Sequence, residues 1–302
     1  MKGHDIIECP RVLGATCAIG AVALGVIYMA FAGAPMRYPA INAGALVIGL
    51  TMLALLGRST IAGGWASAAM AGALVATALL GDAVEGAARW VHVGGLAVQP
   101  SLVLLPVMLV AFARVRRAAS TAAMIATAAA LALQPDRAAA GMLVLGLAVL
   151  TILRPDRHVV AALIAGVAGF ALTLVQADTL PAVPYVDQIL YSSFDVHVAV
   201  GLAVLAGSAL LLVPAIVGCA RDPGDRATYA VFGTVWFVAI LAAALGNYPT
   251  PIVGYGGSAI LGYVLSLLAL PKVAGVRTRP APQPRRAPNR TPPDRDLSIS
   301  LA

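Results

Sequence analysis

Ten ionisable side chains lie at one set of breaks between long apolar runs: Arg37, Asp82, Glu85, Arg89, His92, Asp136, Arg137, Asp178, Asp187 and Asp195. A loop needs none of them to be soluble, since Ser or Asn would serve. Ionisable groups at a membrane boundary are therefore functional candidates, with solvated loop charge as the competing reading for any one of them. A carboxylate in such a place can act as a general base. The planar fork of an arginine binds phosphate oxygens. Three patterns accompany these charges. Ala87-Ala88-Arg89-Trp90 runs on through a double glycine to Gln99-Pro100-Ser101, where Pro opens a helix and Ser can satisfy a free N–H. Gln134-Pro135-Asp136 repeats the theme before another apolar run. Pro249-Thr250-Pro251-Ile252-Val253-Gly254-Tyr255-Gly256-Gly257-Ser258-Ala259 places two prolines and three glycines at or in an apolar run. Backbone so interrupted survives in lipid only when buried in protein or lining a wet cavity.

The elements that position these groups are membrane helices. The chain has 302 residues, of which 60% are hydrophobic and only 11% charged, and its mean hydropathy is +0.90. A soluble domain carries about 25% charged residues. This composition excludes a soluble enzyme, a nucleic-acid-binding domain and a disordered chain. Apolar runs of spanning length cover 12–32, 39–57, 60–80, 159–176, 196–218, 228–246 and 251–271. Shorter ones cover 101–113, 118–133 and 138–153, separated by Arg114, Arg116 and Arg117 and by Gln134–Arg137. The expected fold is all-α, a polytopic membrane protein of about ten helices. Residues 1–11 form an N-terminal cytoplasmic segment, 12–271 the membrane domain, and 272–302 a disordered Pro/Arg-rich cytoplasmic tail. The first run is about as long as a span and lacks a small-residue cleavage site, so it is expected to be retained.

Ten spans with the N-terminus inside put all of the 20 Lys and Arg residues on the cytoplasmic side except Arg37, Arg89 and Arg137. The positive-inside rule predicts that sorting. It also places the ten boundary residues above on the outer face. Cys9, Cys17 and Cys219 have no CxxC spacing and suggest neither a disulfide framework nor a zinc site. No internal repeat is evident.

In order, spacing and side of the membrane, these patterns resemble the SEDS family (shape, elongation, division and sporulation; FtsW/RodA) over residues 12–271. The family pattern is Gly-Ala-Arg-Arg-Trp, then Gln-Pro-Ser-Glu, Gln-Pro-Asp, an extracytoplasmic Asp, and Pro-Phe-x-Ser-Tyr-Gly-Gly-Ser-Ser. The resemblance implies a peptidoglycan glycosyltransferase of cell division or elongation. Such a protein polymerises lipid II, a disaccharide-peptide on undecaprenyl pyrophosphate, at the outer face of the cytoplasmic membrane, with a class B penicillin-binding protein as partner. It implies an essential Asp before the eighth span. Asp195, in Asp195-Val196-His197-Val198-Ala199-Val200, matches that context best, and Asp187 is the second candidate. The implied substrate contacts are Arg89, Trp90, Gln99, Ser101, Asp136, Arg137, Tyr255, Gly256, Gly257 and Ser258, with Arg89 and Arg137 on the pyrophosphate. No cofactor is identified. Where the family carries Glu and Lys after Gln-Pro-Ser, this chain has Leu102 and Leu105; where it has a Glu-Glu pair, Ala203 and Val204 stand.

Three other readings compete. A non-catalytic SEDS-like protein would bind a lipid-linked glycan or a partner helix, as Leu102 and Leu105 suggest. A haem- or metal-handling protein would use His92 and His197. A transporter fits ten spans, but the apolar runs lack the charges needed for ion coupling at mid-membrane. Gly-Tyr-Gly-Gly is not a P-loop, since no strand precedes it and no Lys follows.

Overall fold

Apolar windows broken by Pro, Gly and Arg become helices in the computed structural model, which describes residues 9–57, 64–84, 87–176 and 181–272. In chain order these are α1 (Pro10–Phe31), α2 (Arg37–Leu56), α3 (Gly64–Leu80), α4 (Pro100–Arg114), α5 (Ala118–Leu133), α6 (Arg137–Leu153), α7 (Arg157–Val175), the short α8 (Ile189–Val196), α9 (Val198–Leu210), α10 (Val213–Arg221), α11 (Arg226–Leu245) and α12 (Gly257–Ser266). A 3-10 turn, Leu267–Ala269, ends the last of them. Five segments are long and apolar enough to cross a membrane: α1, α2, α7, the continuous α9–α10 stretch Val198–Arg221, and α11. Five shorter apolar helices accompany them, α3, α4, α5, α6 and α12 with its 3-10 turn. The molecule is a multi-pass helical membrane protein. Residues 273–302, the expected tail, lie outside the described residues, as do Glu85 and Asp178.

Burial explains the short helices. α4 is buried on every side, with Leu105–Ala113 forming an unbroken buried run, and it touches α3, α5, α6, α11 and α12. A helix that is apolar all round belongs at a core, where length is set by neighbours rather than by lipid. By contrast, only 17% of the apolar window of α2 is buried, against 50% for α11, so α2 sits at the periphery. The α4–α12 contact is backbone to backbone: a Cβ on Gly262 would stand 1.9 Å from the Leu102 carbonyl oxygen. Small residues let membrane helices approach this closely. Gly262→Ala should therefore force the two helices apart and cost about 1–3 kcal/mol, read as a drop in apparent melting temperature in detergent.

At the end of the bundle where α4 and α12 finish, guanidinium groups close the last helix. Arg11 donates to the carbonyls of Gly57, Leu268 and Leu270, and Arg114 donates to Ala269. Cations satisfying final carbonyls stabilise helix C-termini.

The structure departs from the sequence reading in two places. Asp82–Val84, Ala87–Val93 and Leu96–Val98 form a small antiparallel sheet of order β1-β2-β3. Gly94 and Gly95, at φ 58° and 80°, make the β2–β3 turn, the left-handed pair that a tight hairpin requires. The final helix begins at Gly257, because residues 249–256 form an irregular segment, buried over 250–254, instead of its first turns.

Candidate functional site

The separated Gln-Pro patterns meet at one carboxylate. Asp136 is fully buried and caps α6, accepting from the Ala139 N–H at 3.1 Å. Its other oxygen accepts from Gln99 Nε2 at 3.0 Å and from Ser101 Oγ at 2.7 Å. Ser101 thus gives its hydroxyl to Asp136 rather than capping its own helix. Pro100 opens α4 at a position where a missing N–H costs nothing, which puts Gln99 and Ser101 at the same end. The Gln99 N–H donates to Ser258 Oγ at 2.9 Å, bringing in the glycine-rich segment. Arg89 on β2 is 3% exposed. It donates to the carbonyls of Gln134 and Pro135, tying the sheet to the loop before α6. Gln134 in turn donates to the Leu74 carbonyl of α3 at 2.9 Å. Trp90 is on the same strand, opposite Asp82.

A small hollow lies beside this network, between α4, α6 and α11. Gln99, Leu102, Asp136, Ala139, Met142, Ala242, Tyr248 and Pro249 line it. Asp187 is joined to this hollow through the backbone: it bridges to the lining residue Pro249, and the Thr250 N–H donates to the Val186 carbonyl at 2.9 Å. Asp187 is 8% exposed, and its carboxylate accepts from the Val183 N–H at 2.8 Å. Burial pushes its carboxyl above its ordinary value, opposed by that N–H.

Other candidates sit elsewhere. Arg137 turns away toward α7, donating to the carbonyls of Thr173, Leu174 and Gln176. Asp195 is exposed in the last turn of α8, a helix that packs on α9 and α11, whereas β2 with Arg89 packs on α3 and α4. Asp195, Arg89 and Arg137 thus lie on different elements with different neighbours. Leu102 and Leu105 are buried, as is Val204, while Ala203 is half-buried. His92 is on β2, and His197 caps α9 by accepting from the Ala199 N–H. Among the described residues no group of three or more His, Cys, Asp or Glu could hold a metal ion.

Sequence reasoning missed Asn42. Fully buried on α2, it donates through Nδ2 to the Gly254 carbonyl at 2.8 Å and accepts from the Gly256 N–H at 3.1 Å. One turn earlier, Tyr38 stacks on Tyr255 with ring centroids 4.0 Å apart. An amide inside the apolar run 39–57 was the available signal. Gly257 supports the same contact: a Cβ there would lie 3.2 Å from the Ala45 side chain.

No family profile matches the chain, and no curated protein resembles it in sequence. Among solved structures, the rod shape determining protein RodA of Thermus thermophilus superposes with a TM-score of 0.60 at 22% identity, over 84% of this chain and 93% of that one. A peptidoglycan synthase complex described for its coordination of polymerisation and cross-linking contains a chain that matches at 0.59 and 21%, over 84% and 94%. The helical membrane domain thus has the fold of RodA, shared over 84% of this chain.

Proposed function

We propose that this chain is a diverged SEDS protein that polymerises lipid II at the outer face of the cytoplasmic membrane, in division or elongation, with a class B penicillin-binding protein as partner. The observation that carries the reading is the placement of Asp187, a buried carboxylate bridged to Pro249 on the lip of the hollow that Gln99 and Asp136 line. Five long and five short apolar helices support ten spans. The RodA-like fold supports the family, and the motif residues Arg89, Gln99, Ser101, Asp136 and Ser258 support it by joining in one network.

In this reading Asp187, ahead of Asp195, is the general base. A sugar hydroxyl attacks the anomeric carbon of the donor and its proton passes to the Asp187 carboxylate. The new C–O bond forms as the bond to pyrophosphate breaks, and polyprenyl pyrophosphate leaves. A carboxyl raised by burial is better matched to this proton transfer than an ordinary one. Gln99, Ser101 and Asp136 shape the floor of the hollow. Arg89 and Trp90 stand on β2, which the Arg89 bonds tie to the loop before Asp136, so Arg89 is the cation assigned to the pyrophosphate, whereas Arg137 is turned toward α7 and is not. Tyr255, Gly256 and Gly257 stand against α2, and Ser258 joins them to Gln99.

One observation favours a second reading. Leu102 lines the hollow where the family carries an acid, which suits a protein that binds a lipid-linked glycan without transferring it. Purified lipid II, incubated with the protein and its partner, separates the two. Polymer that disappears with Asp187→Asn supports the enzyme. Lipid II binding without polymer, from a folded wild type, supports the binder.

A further inference from the structure

We infer that Asn42 is a positioning residue, holding the irregular segment 249–256 so that this segment in turn holds Asp187. The consequence for activity rests on the proposed function; the mechanical coupling does not.

The segment is costly to keep at membrane depth. Non-helical N–H and C=O groups find no water there and must be satisfied by protein. Ile252 has φ 68°, a left-handed conformation that a β-branched residue rarely takes. The Val253 N–H closes a three-residue turn around it by donating to the Pro251 carbonyl at 2.8 Å. Such strain persists only where the surroundings over-determine it.

Those surroundings are specific. From α1, Gly25 presents its backbone so closely that a Cβ would stand 2.5 Å from the Val253 carbonyl oxygen. From α2, the Asn42 side chain fills both roles that the backbone leaves open, acceptor for Gly256 and donor to Gly254. No other uncharged side chain of that size offers both to bonds two residues apart. Between the two bonds, the Tyr255 N–H donates to the Tyr185 carbonyl at 2.7 Å. Tyr185 lies two residues before Asp187, whose own backbone bridges to Pro249 at the other end of the same segment. The chain of contacts runs from Asn42 through Gly254–Gly256 to Tyr185 and Asp187, with each link a hydrogen bond or a peptide bond.

The test uses the full-length protein in nanodiscs. In Asn42→Leu, amide hydrogen exchange in 250–256 and 183–188 should quicken by about tenfold, with α5 and α6 unchanged. Polymerisation of lipid II should fall by about a hundredfold, the effect of misplacing a reacting group by about 1 Å. Asn42→Asp supplies a readout that simple packing would not move. Its protonated acid can donate to Gly254 and accept from Gly256, whereas its carboxylate can only accept. Its exchange rates at 250–256, relative to wild type at the same pH, should approach unity as pH falls. The charged and titratable groups around it are Arg37 and Tyr38 on α2, Tyr28 on α1, Tyr185 and Asp187 in the outer loop, and Tyr255; the wild-type ratio removes their contribution. Unchanged exchange at 183–188 in Asn42→Leu overturns the coupling. If Asn42→Leu loosens the whole chain, the Asn42→Asp ratio decides, and a ratio flat with pH overturns the inference. Full polymerisation by Asn42→Leu, where wild type polymerises, also overturns it. A wild type that makes no polymer sinks the proposed function alone, since the exchange arms still report the coupling.

Discussion

Asp187→Asn should lower lipid II polymerisation by about 10²–10⁴-fold, the range for loss of a positioned general base, while leaving the protein folded. The asparagine keeps the size of the side chain and an oxygen to accept from the Val183 N–H, the bond Asp187 makes at 2.8 Å. What it loses is the capacity to take a proton. Asp195→Asn should cost less by at least about tenfold, because Asp195 is exposed on α8, whereas Asp187 is buried and bridged to Pro249 of the hollow. The pH profile of the wild type carries an independent sign. Burial raises the Asp187 carboxyl above its ordinary value, so its basic form is depleted at a higher pH than for a solvated aspartate. The acid limb of the rate should therefore begin above the usual carboxylate range, and activity should rise as pH climbs through it. Rates measured across pH on purified protein and partner check both claims. If Asp195→Asn is the inactive variant and Asp187→Asn the active one, the assignment of the base is reversed.

That reversal would restore the preference drawn from the sequence, where local context favoured Asp195. The patterns of the primary structure are legible as to order and element: Gln99-Pro100-Ser101 does open a helix, and the run 118–133 is helix α5 to the residue. Their mutual contact was not legible. The bond from Ser101 to Asp136 spans 35 positions and that from Asn42 to Gly254 spans 212. Periodicity and propensity describe neighbours a few residues apart. Asp187 is distinguished from Asp195 by a backbone bridge to Pro249, which no feature around either aspartate encodes. The sheet was closer to the surface of the sequence. Trp90-Val91-His92-Val93 before Gly94-Gly95, with Leu96-Ala97-Val98 after, is a hairpin pattern. It was obscured because it sits among membrane helices, where a boundary loop was expected. Hydropathy alone starts the final apolar run at 251, because residues 251–256 are mostly apolar. Hydropathy measures the medium, and this segment occupies the protein interior without being helical.

Asp136→Ala should destabilise the protein more than any other single substitution among the boundary residues at this end of the bundle. Three donors converge on this fully buried carboxylate: Gln99 Nε2, the Ser101 hydroxyl and the Ala139 N–H. A buried donor left without an acceptor costs about 1–3 kcal/mol, and loss of a helix cap adds about 1 kcal/mol. Water could not readily replace the carboxylate, since Asp136 is 0% exposed. Asp136→Asn should fall between alanine and wild type. Its single oxygen can serve either the Ala139 N–H or the Gln99–Ser101 pair, and its NH₂ must then face donors. Because Gln99 and Asp136 share one network, the losses should not add. Gln99→Ala and Asp136→Ala together should cost clearly less than the sum of the two, whereas Asp136→Ala with Gly262→Ala, which acts at a separate helix contact, should come close to additive. Apparent melting temperatures in one detergent, at one heating rate, measure each variant on the same scale. Additivity between Gln99 and Asp136 would mean that the two Gln-Pro patterns are energetically independent, and the network could not then be what holds α4 against α6.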